Sequence, residues 1–209
     1  MKEPKRWVAA GYEEVAERHA EWAAGTRVGE RIEYASRVLA WLAPGSTILD
    51  VGCGAAGVST RMLAAPHRLV GLDLAWSNLE LARRNVPAAA FVQADMGEVS
   101  FRPASFDAVV AFYSIFHLPR AEHGPLLSSI AGWLKPGGLL AAAFGTRDVA
   151  EGVEDDWLGV RMFSSSHPPE TTVRLVRDAG LRVIDAQIRT EDEDGVPVPF
   201  LWVLAARNA

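Results

Sequence analysis

A glycine-rich turn with an adjacent acid is the first feature of the chain that could bind a ligand. The stretch ILDVGCGAAG, residues 48–57, places Asp50 two positions before the pattern Gly52-x-Gly54-x-x-Gly57. Glycines at such a turn let the backbone approach a ligand closely, and the helix that follows offers free N–H groups. The pattern alone suits a dinucleotide as well as a ligand without phosphate.

Carboxylates at the ends of apolar segments narrow the choice of ligand. Asp50 would repel a pyrophosphate placed on the turn but would attract a cationic group such as an α-amino group. Asp73 ends the segment RLVGLD about 20 residues later, where an acid can hold ribose hydroxyls in either kind of site. Asp95 and Met96 end a third segment and suit the edge and face of a purine. The alternative interpretation is that Asp50 and Asp73 are structural carboxylates that cap helices. Met96 suits the core almost as well as a ligand contact.

Two further side chains could take part in chemistry. His117, in SIFHLP, could remove a proton from an acceptor hydroxyl or amine, or it could simply pack a loop. Cys53, the only cysteine, has no basic neighbour in sequence to activate it, so a small turn residue is the simpler interpretation. No Cys/His cluster has zinc spacing, and we expect no metal site.

Alternating strand and helix patterns must position these residues. Near-continuous apolar runs such as AVVAF and LLAAAF are typical of strands covered on both faces. Strands are predicted at 47–52, 68–74, 89–94, 106–113, 138–144, 181–190 and 199–207. Helices are predicted at 11–23, 28–42, 57–65, 76–85, 124–134 and 168–179, with Ile32, Ala35, Leu39 and Leu42 facing inward in the second. This order predicts a doubly wound parallel α/β sheet that finishes in an antiparallel hairpin.

Five stretches, in order, resemble the class I S-adenosylmethionine-dependent methyltransferases. They are ILDVGCGAAG, LVGLDLAWSNLELAR, FVQADM, FDAVVAFYSIFHLP and WLKPGGLLAAAFG, within about residues 45–146. The resemblance implies a Rossmann-like, seven-stranded, mostly parallel sheet with an antiparallel C-terminal strand. It also implies S-adenosylmethionine as cofactor and S-adenosylhomocysteine as product. Because GYEEVAERHAEW resembles the capping helix of small members, we expect a helical cap or lid at 1–44 and a methyltransferase domain at 45–209.

The resemblance implies a cofactor site made of strand ends and the glycine turn. Asp50 would meet the methionine end, Asp73 the ribose hydroxyls and Asp95 the adenine edge. Gly57 would let a helix pack closely on a strand. The other implied cofactor contacts are Gly52, Cys53, Gly54, Leu74, Met96, Ala111 and Phe112.

Acceptor contacts are expected from three parts of the chain. His117 is the candidate general base, and Tyr113 in the same loop competes for contact with the substrate. Tyr12, His19 and Trp22 share a face of the first helix and would cover the site if that helix is a lid. The segment 155–163 would roof the acceptor pocket, although core packing explains its large side chains almost as well. Its candidates are Trp157, Met162 and Phe163.

The implied function is methyl transfer to a small molecule, most simply at a hydroxyl or an amine. A net charge of −5 and the absence of Asn-Pro-Pro-Tyr and Pro-Cys motifs argue against DNA as a substrate. Alternatives are an RNA or protein methyltransferase, a catalytically inactive cofactor-binding scaffold or regulatory protein, and a nicotinamide-dependent oxidoreductase. The charged N-terminus and short apolar runs predict a soluble, cytoplasmic monomer or homodimer without membrane contact.

Overall fold

The computed structural model describes residues 3–208. Its strands are β1 (Thr47–Val51), β2 (Arg68–Asp73), β3 (Ala90–Gln93), β4 (Phe106–Ala111), β5 (Leu134–Gly145), β6 (Val149–Trp157), β7 (Val160–Ser166), β8 (Leu181–Glu193) and β9 (Val196–Arg207). Its α-helices are α1 (Glu3–Gly25), α2 (Val28–Trp41), α3 (Val58–Ala64), α4 (Trp76–Asn85), α5 (His123–Trp133) and α6 (Pro169–Asp178). Two short 3-10 helices, Ile115–His117 and Arg120–Glu122, connect β4 to α5.

Seven strands form the main sheet, in the order β3-β2-β1-β4-β5-β9-β8. The first five are parallel, and β9 lies antiparallel to both β5 and β8. The predicted fold class is therefore confirmed, including the antiparallel strand at the C-terminal end. In this register Asp50 and Asp73 end neighbouring strands at the same edge of the sheet, where ligands of doubly wound folds bind.

Helices cover both faces of the sheet, as the continuous apolar strands require. On one face α5 and α6 pack on the strands, with Leu127 and Ile130 fully buried. On the other face α2 and α3 contribute Tyr34 and Leu63, and the Tyr34 ring stacks on Trp202 with ring centroids 4.4 Å apart. The two helical layers thus cover the strands that carry the acids to the edge of the sheet.

The two N-terminal helices pack differently. Helix α1 contacts α4 and β7, whereas α2 packs on α3 and β5. In α2 the prediction that Ile32 faces inward is wrong, since Ile32 is 38% exposed and Val38 is buried in its place. The division of the chain into a cap at 1–44 and a transferase domain at 45–209 stays a prediction.

A two-stranded antiparallel sheet, β6–β7, follows β5 and was not predicted as strands. Most β6 side chains are exposed, so its acidic stretch lacks the apolar alternation that marks a strand. The other strand is anchored instead, because Met162 and Phe163 of β7 pack against Val8 and Val15 of α1. Within residues 3–208, no helix is long and apolar enough to span a bilayer.

Candidate functional site

A cavity of about 980 Å³ opens at the carboxyl edge of the sheet. It runs from the glycine turn to α1 and the β6–β7 hairpin. Most of the residues predicted from the sequence line it together: Tyr12, His19, Trp22, Asp50, Gly52, Cys53, Gly54, Asp73, Leu74, Asp95, Met96, Phe112, Tyr113, His117, Trp157 and Met162. The side chains of Ala111 and Phe163 are buried and do not line the cavity. The candidate cofactor and acceptor residues thus share one continuous space.

Positive backbone angles make the turn dependent on glycine. Gly52 has φ of 73° and Gly54 has φ of 53°, a conformation that side chains disfavour. A Cβ at Gly52 would also clash with Ser114, whose hydroxyl donates to the Val51 carbonyl at 2.6 Å. The expected close packing at Gly57 is wrong, because a Cβ there would meet nothing within 4 Å.

The glycine that allows close packing lies on β2 instead. A Cβ at Gly71 would come within 2.6 Å of the Phe91 ring and 2.8 Å of Cys53 Sγ. Burial raises the pKa of the Cys53 thiol, with a further contribution from the charges of Asp73 and Asp50. Both features agree with a small, unreactive cysteine that fills the turn.

Asp50 is a buried carboxylate at the end of β1. Thr60, in the following helix α3, donates its hydroxyl to Asp50 Oδ2 at 2.7 Å. Burial raises the pKa of Asp50 to about 6, although the Thr60 hydrogen bond opposes this change. No ion pair joins Asp50 to a cation among residues 3–208. A positively charged ligand group would therefore be stabilised at this position.

Asp73 combines a structural role with an open position on the cavity wall. Its carboxylate accepts from the backbone N–H groups of Gly54 at 2.8 Å and Ala75 at 3.0 Å, and from the Asn78 amide at 3.2 Å. Burial is the main cause of its raised pKa. A carboxylate has about four lone-pair sites, so three such bonds leave Asp73 able to accept from a ligand hydroxyl. Both sequence interpretations, helix cap and ligand contact, are thus compatible with its geometry.

Asp95 belongs to a buried ion triad that the sequence did not predict. Lys5 of α1 places its Nζ 2.8 Å from Asp95 Oδ2 and 2.5 Å from Glu122 Oε2, and its side chain is 3% exposed. The other Asp95 oxygen accepts from the Gly97 N–H at 2.8 Å. The triad fixes the start of α1 to the end of β3, beside the half-buried Met96.

Aromatic rings enclose the part of the cavity that faces α1. Tyr12 lies edge-on to His19, His117 and Trp157, with ring centroids 5.1–5.5 Å apart. Trp22 closes the cluster against Trp157 at 6.2 Å. Burial lowers the pKa of His19 to about 3, which agrees with a packed, neutral ring. The cluster forms an apolar wall suited to a flat organic molecule.

His117 is held at both ring nitrogens. Its Nδ1 lies 2.8 Å from the Phe163 carbonyl oxygen, and its Nε2 lies 2.9 Å from the Tyr12 hydroxyl. Burial, opposed by the Phe163 hydrogen bond, lowers the pKa of His117 to about 4. The neutral imidazole faces the cavity, and the predicted acceptor residue Phe163 contributes its carbonyl rather than its ring.

Two arginines from the junction of α1 and α2 reach the same part of the cavity, which we call the lobe: the part facing α1 that contains Tyr12 and His117. Arg27 has φ of 58°, pairs with Glu193 at 2.6 Å, and lies over the Tyr113 and Phe200 rings at 4.7 and 4.6 Å. The Arg31 guanidinium carbon also lies 4.7 Å from the centroid of the Tyr113 ring. Tyr113, itself at φ of 62°, is thereby fixed, which agrees with its expected place beside the acceptor.

Sequence reasoning missed the partners of the predicted residues. Thr60 carried a weak signal, because it lies in the first turn of α3 and therefore near the carboxyl end of β1. Lys5, Arg27 and Arg31 carried none, since each meets the site through tertiary packing of α1 and α2. A cation in an amphipathic helix is ordinarily a solvated surface residue.

Comparison with known proteins places the central part of the chain in a recognised family. The family model described as a methyltransferase domain matches residues 48–138. An O-methyltransferase of Penicillium expansum is 33% identical over 170 residues, which make up 76% of this chain and 60% of that protein. A trans-aconitate 2-methyltransferase of Methylobacterium nodulans is 38% identical over 103 residues, 48% of this chain and 38% of that protein. The chain thus spans less than two thirds of the length of these curated relatives.

The fold also matches a solved structure over nearly its whole length. The crystal structure of Burkholderia thailandensis 1,6-didemethyltoxoflavin-N1-methyltransferase, with bound 1,6-didemethyltoxoflavin and S-adenosylhomocysteine, has a TM-score of 0.74. The alignment covers 100% of this chain and 92% of that chain at 18% identity. At this identity the likeness establishes the fold alone.

Proposed function

Because the chain belongs to the class I S-adenosylmethionine-dependent methyltransferases, we propose that it transfers a methyl group from that cofactor to a hydroxyl of a small molecule. The observation that carries the proposal is the single cavity that joins the Asp50–Asp73 turn to the lobe containing His117. The relatives named as an O-methyltransferase and a trans-aconitate 2-methyltransferase support small-molecule chemistry. The aromatic walls of the lobe suit such an acceptor better than a polymer.

The turn fits the proposed cofactor. Glycine backbone at Gly54 leaves open space where a Cβ would point, so a ligand can approach the chain closely. The buried Asp50 would bind the cationic amino group, and Asp73 would accept from a ribose hydroxyl with its remaining lone pair. Met96 and Asp95, which line the same cavity, would hold the adenine. The cofactor supplies a methyl group on a positively charged sulfur, activated for direct displacement.

The protein's contribution to the reaction is mainly alignment. Rigid positioning of reacting groups can lower a barrier by up to ~7–11 kcal/mol. The aromatic wall would orient the acceptor, and the buried lobe would exclude water from the reacting atoms. An oxygen acceptor must also lose a proton, and we assign the neutral His117 at the cavity wall as the base on which a proton is finally held.

We also propose that the acceptor is a small molecule rather than DNA. Residues 1–44 act as the cap, and α1 forms one wall of the cavity. For the site residues inferred from the sequence that line the cavity, we keep the cofactor and acceptor roles assigned above as proposals. A cytoplasmic location and a monomeric or dimeric state stay predictions.

Calorimetry with S-adenosylhomocysteine and with NADH tests the cofactor. We expect binding of the first alone, and NADH binding would instead favour the oxidoreductase. Asp73→Ala should weaken S-adenosylhomocysteine binding by about 1–3 kcal/mol through lost charge-assisted hydrogen bonds. The control is Asp107→Ala, which removes a carboxylate paired with Lys135 outside the cavity lining. Equal affinity of Asp73→Ala and the parent would contradict the placement.

Methyl-labelled S-adenosylmethionine with a panel of small hydroxyl compounds tests the transfer. Label in an organic-soluble product supports the proposed activity. Cofactor binding without label in any product would favour the inactive scaffold.

A further inference from the structure

The hydrogen bonds of His117 determine which nitrogen carries its proton. The Phe163 carbonyl oxygen can only accept, so His117 Nδ1, 2.8 Å away, must be the donor. A neutral imidazole protonated at Nδ1 has a bare Nε2. The Tyr12 hydroxyl, 2.9 Å from Nε2, therefore donates its proton to that nitrogen. The two bonds form a directed chain from Tyr12 through His117 to the backbone of β7.

With these two hydrogen bonds in place, His117 cannot accept a hydrogen bond from an acceptor hydroxyl. Nε2 has one lone pair, and the Tyr12 proton already occupies it. The Tyr12 oxygen, in contrast, keeps lone pairs that can accept a further hydrogen bond. Both residues line the cavity, and the edge-on contacts of the Tyr12 ring with His19 and Trp157 hold it in place.

We propose that Tyr12 is the catalytic residue that touches the acceptor hydroxyl, and that His117 takes the proton only through Tyr12. The inference rests on the proposed function, because it assigns a role within oxygen methylation. It changes the role of Tyr12 from a cover over the site to a participant in the reaction.

Each proton that moves in the step has a donor and an acceptor. In the transfer, the bond between the methyl carbon and the cofactor sulfur would break, with its electron pair left on sulfur, as the bond to the acceptor oxygen forms. The acceptor O–H bond then breaks, and its proton moves to Tyr12 Oη. The original Tyr12 proton moves to His117 Nε2, so the phenol is restored and His117 becomes an imidazolium. The Phe163 carbonyl stabilises that cation through the Nδ1–H bond. Departure of the products opens a route for the extra proton to water.

The surroundings keep both groups neutral before the reaction. Burial raises the pKa of Tyr12, with a contribution from Asp73, and burial together with the Arg27 charge lowers the pKa of His117. The relay therefore starts in one protonation state across the neutral range. A cation formed on His117 is unstable after turnover, which favours its return to the neutral form.

Direct action of His117 and action through Tyr12 predict opposite results for one variant. If His117 were the base by itself, Tyr12→Phe would free Nε2 for the acceptor and would keep or raise the rate. In the relay, the same change removes the group that receives the acceptor proton. General base catalysis contributes about 10²–10⁴-fold, so we expect a loss of about 100-fold in kcat/KM.

Two phenols of different acidity separate proton removal from positioning. At pH 8.5, 4-nitrophenol is largely ionised and needs no base, whereas 4-methylphenol keeps its proton. Label transfer from S-adenosylmethionine should fall about 100-fold in Tyr12→Phe with 4-methylphenol. With 4-nitrophenol the loss should stay below about threefold. A purely structural role of the Tyr12 hydroxyl would reduce both rates equally and would overturn the inference.

Matched variants complete the experiment. Tyr34→Phe removes the hydroxyl of another buried tyrosine, stacked on Trp202 outside the cavity lining, and should leave both rates unchanged. His117→Asn keeps an amide donor toward the Phe163 carbonyl but removes the base. Since Tyr12 and His117 act in series, Tyr12→Phe, His117→Asn and the double variant should lose activity to the same extent with 4-methylphenol.

The possible failures are distinguishable. Parent protein that binds S-adenosylhomocysteine but labels neither phenol would refute methylation of phenolic hydroxyls, and the relay would fall with it. Active parent with an equally active Tyr12→Phe variant would refute the relay alone. Additive losses in the double variant would also refute it, because they would show that the two residues act independently.

Discussion

Replacing Asp50 by Asn should stabilise the ligand-free protein while weakening its binding of the cofactor. The carboxylate is 5% exposed, and burial raises its pKa from 3.8 to about 6. At about 1.36 kcal/mol for each pKa unit, this difference corresponds to about 3 kcal/mol of folding free energy lost when the group is ionised. Asn is neutral, and its side-chain oxygen can still accept from Thr60.

The pH dependence gives the sign of the effect. The folded protein holds the Asp50 proton up to higher pH than the unfolded chain. The destabilising effect of the ionised Asp50 carboxylate is therefore absent below about pH 4. It develops as pH rises and is complete above about pH 6. The gain from Asp50→Asn should therefore be close to 3 kcal/mol at pH 7.5 and about half of that at pH 5.

Urea unfolding of parent and variant at the two pH values measures this gain. Asp107→Asn is the matched control with the opposite sign, because the Lys135 hydrogen bond and charge lower the pKa of Asp107. That variant should lose stability at pH 7.5. In the same samples, Asp50→Asn should bind S-adenosylhomocysteine about 10–100-fold more weakly, through a lost hydrogen bond to a charged group. An Asp50→Asn variant less stable than the parent at pH 7.5 would refute the reasoning.

Three further predictions concern the turn and the cap. Gly52→Ala should lower the free energy of unfolding by at least about 2 kcal/mol, because the added methyl group clashes at a residue with positive φ. Gly57→Ala, the control, should change the free energy of unfolding by less than about 1 kcal/mol. Equal effects of the two substitutions in urea unfolding would contradict the geometry of the turn. Lys5→Met should cost about 3 kcal/mol in the same assay, because two largely buried carboxylates lose their cation, and an unchanged midpoint would mean that the ion triad contributes nothing. Cys53 should react with a thiol reagent at pH 7.5 only as fast as the protein unfolds, because burial raises its pKa and suppresses the thiolate; rapid labelling of the native protein would exclude this.

The parts of the fold predicted from sequence are those with local patterns. Apolar runs and the glycine turn located β1 and β2, and parallel topology then brought Asp50 and Asp73 to one edge of the sheet. The β6–β7 hairpin was not predicted, because its exposed first strand, β6, carries charges instead of an alternating apolar pattern. Its strand character comes from pairing with β7 and from the packing of β7 on α1, which are tertiary effects.

The parts of the site that sequence reasoning could not supply join residues far apart in the chain. Lys5 meets Asp95 across 90 positions, and Tyr12 meets His117 across 105. Residue types made Tyr12 and His117 candidates separately, but only the docking of α1 beside β7 shows that they lie within hydrogen-bond distance. Motif spacing locates the cofactor turn, whereas the acceptor lobe depends on how the N-terminal helices pack.

A crystal structure of the protein soaked with S-adenosylhomocysteine tests the central claim most directly. We expect a ribose hydroxyl within hydrogen-bond distance of Asp73, the amino group beside Asp50 and the sulfur turned toward the lobe of Tyr12 and His117. Density for the nucleoside elsewhere on the protein, or a glycine turn that remains empty at saturating ligand, would contradict it.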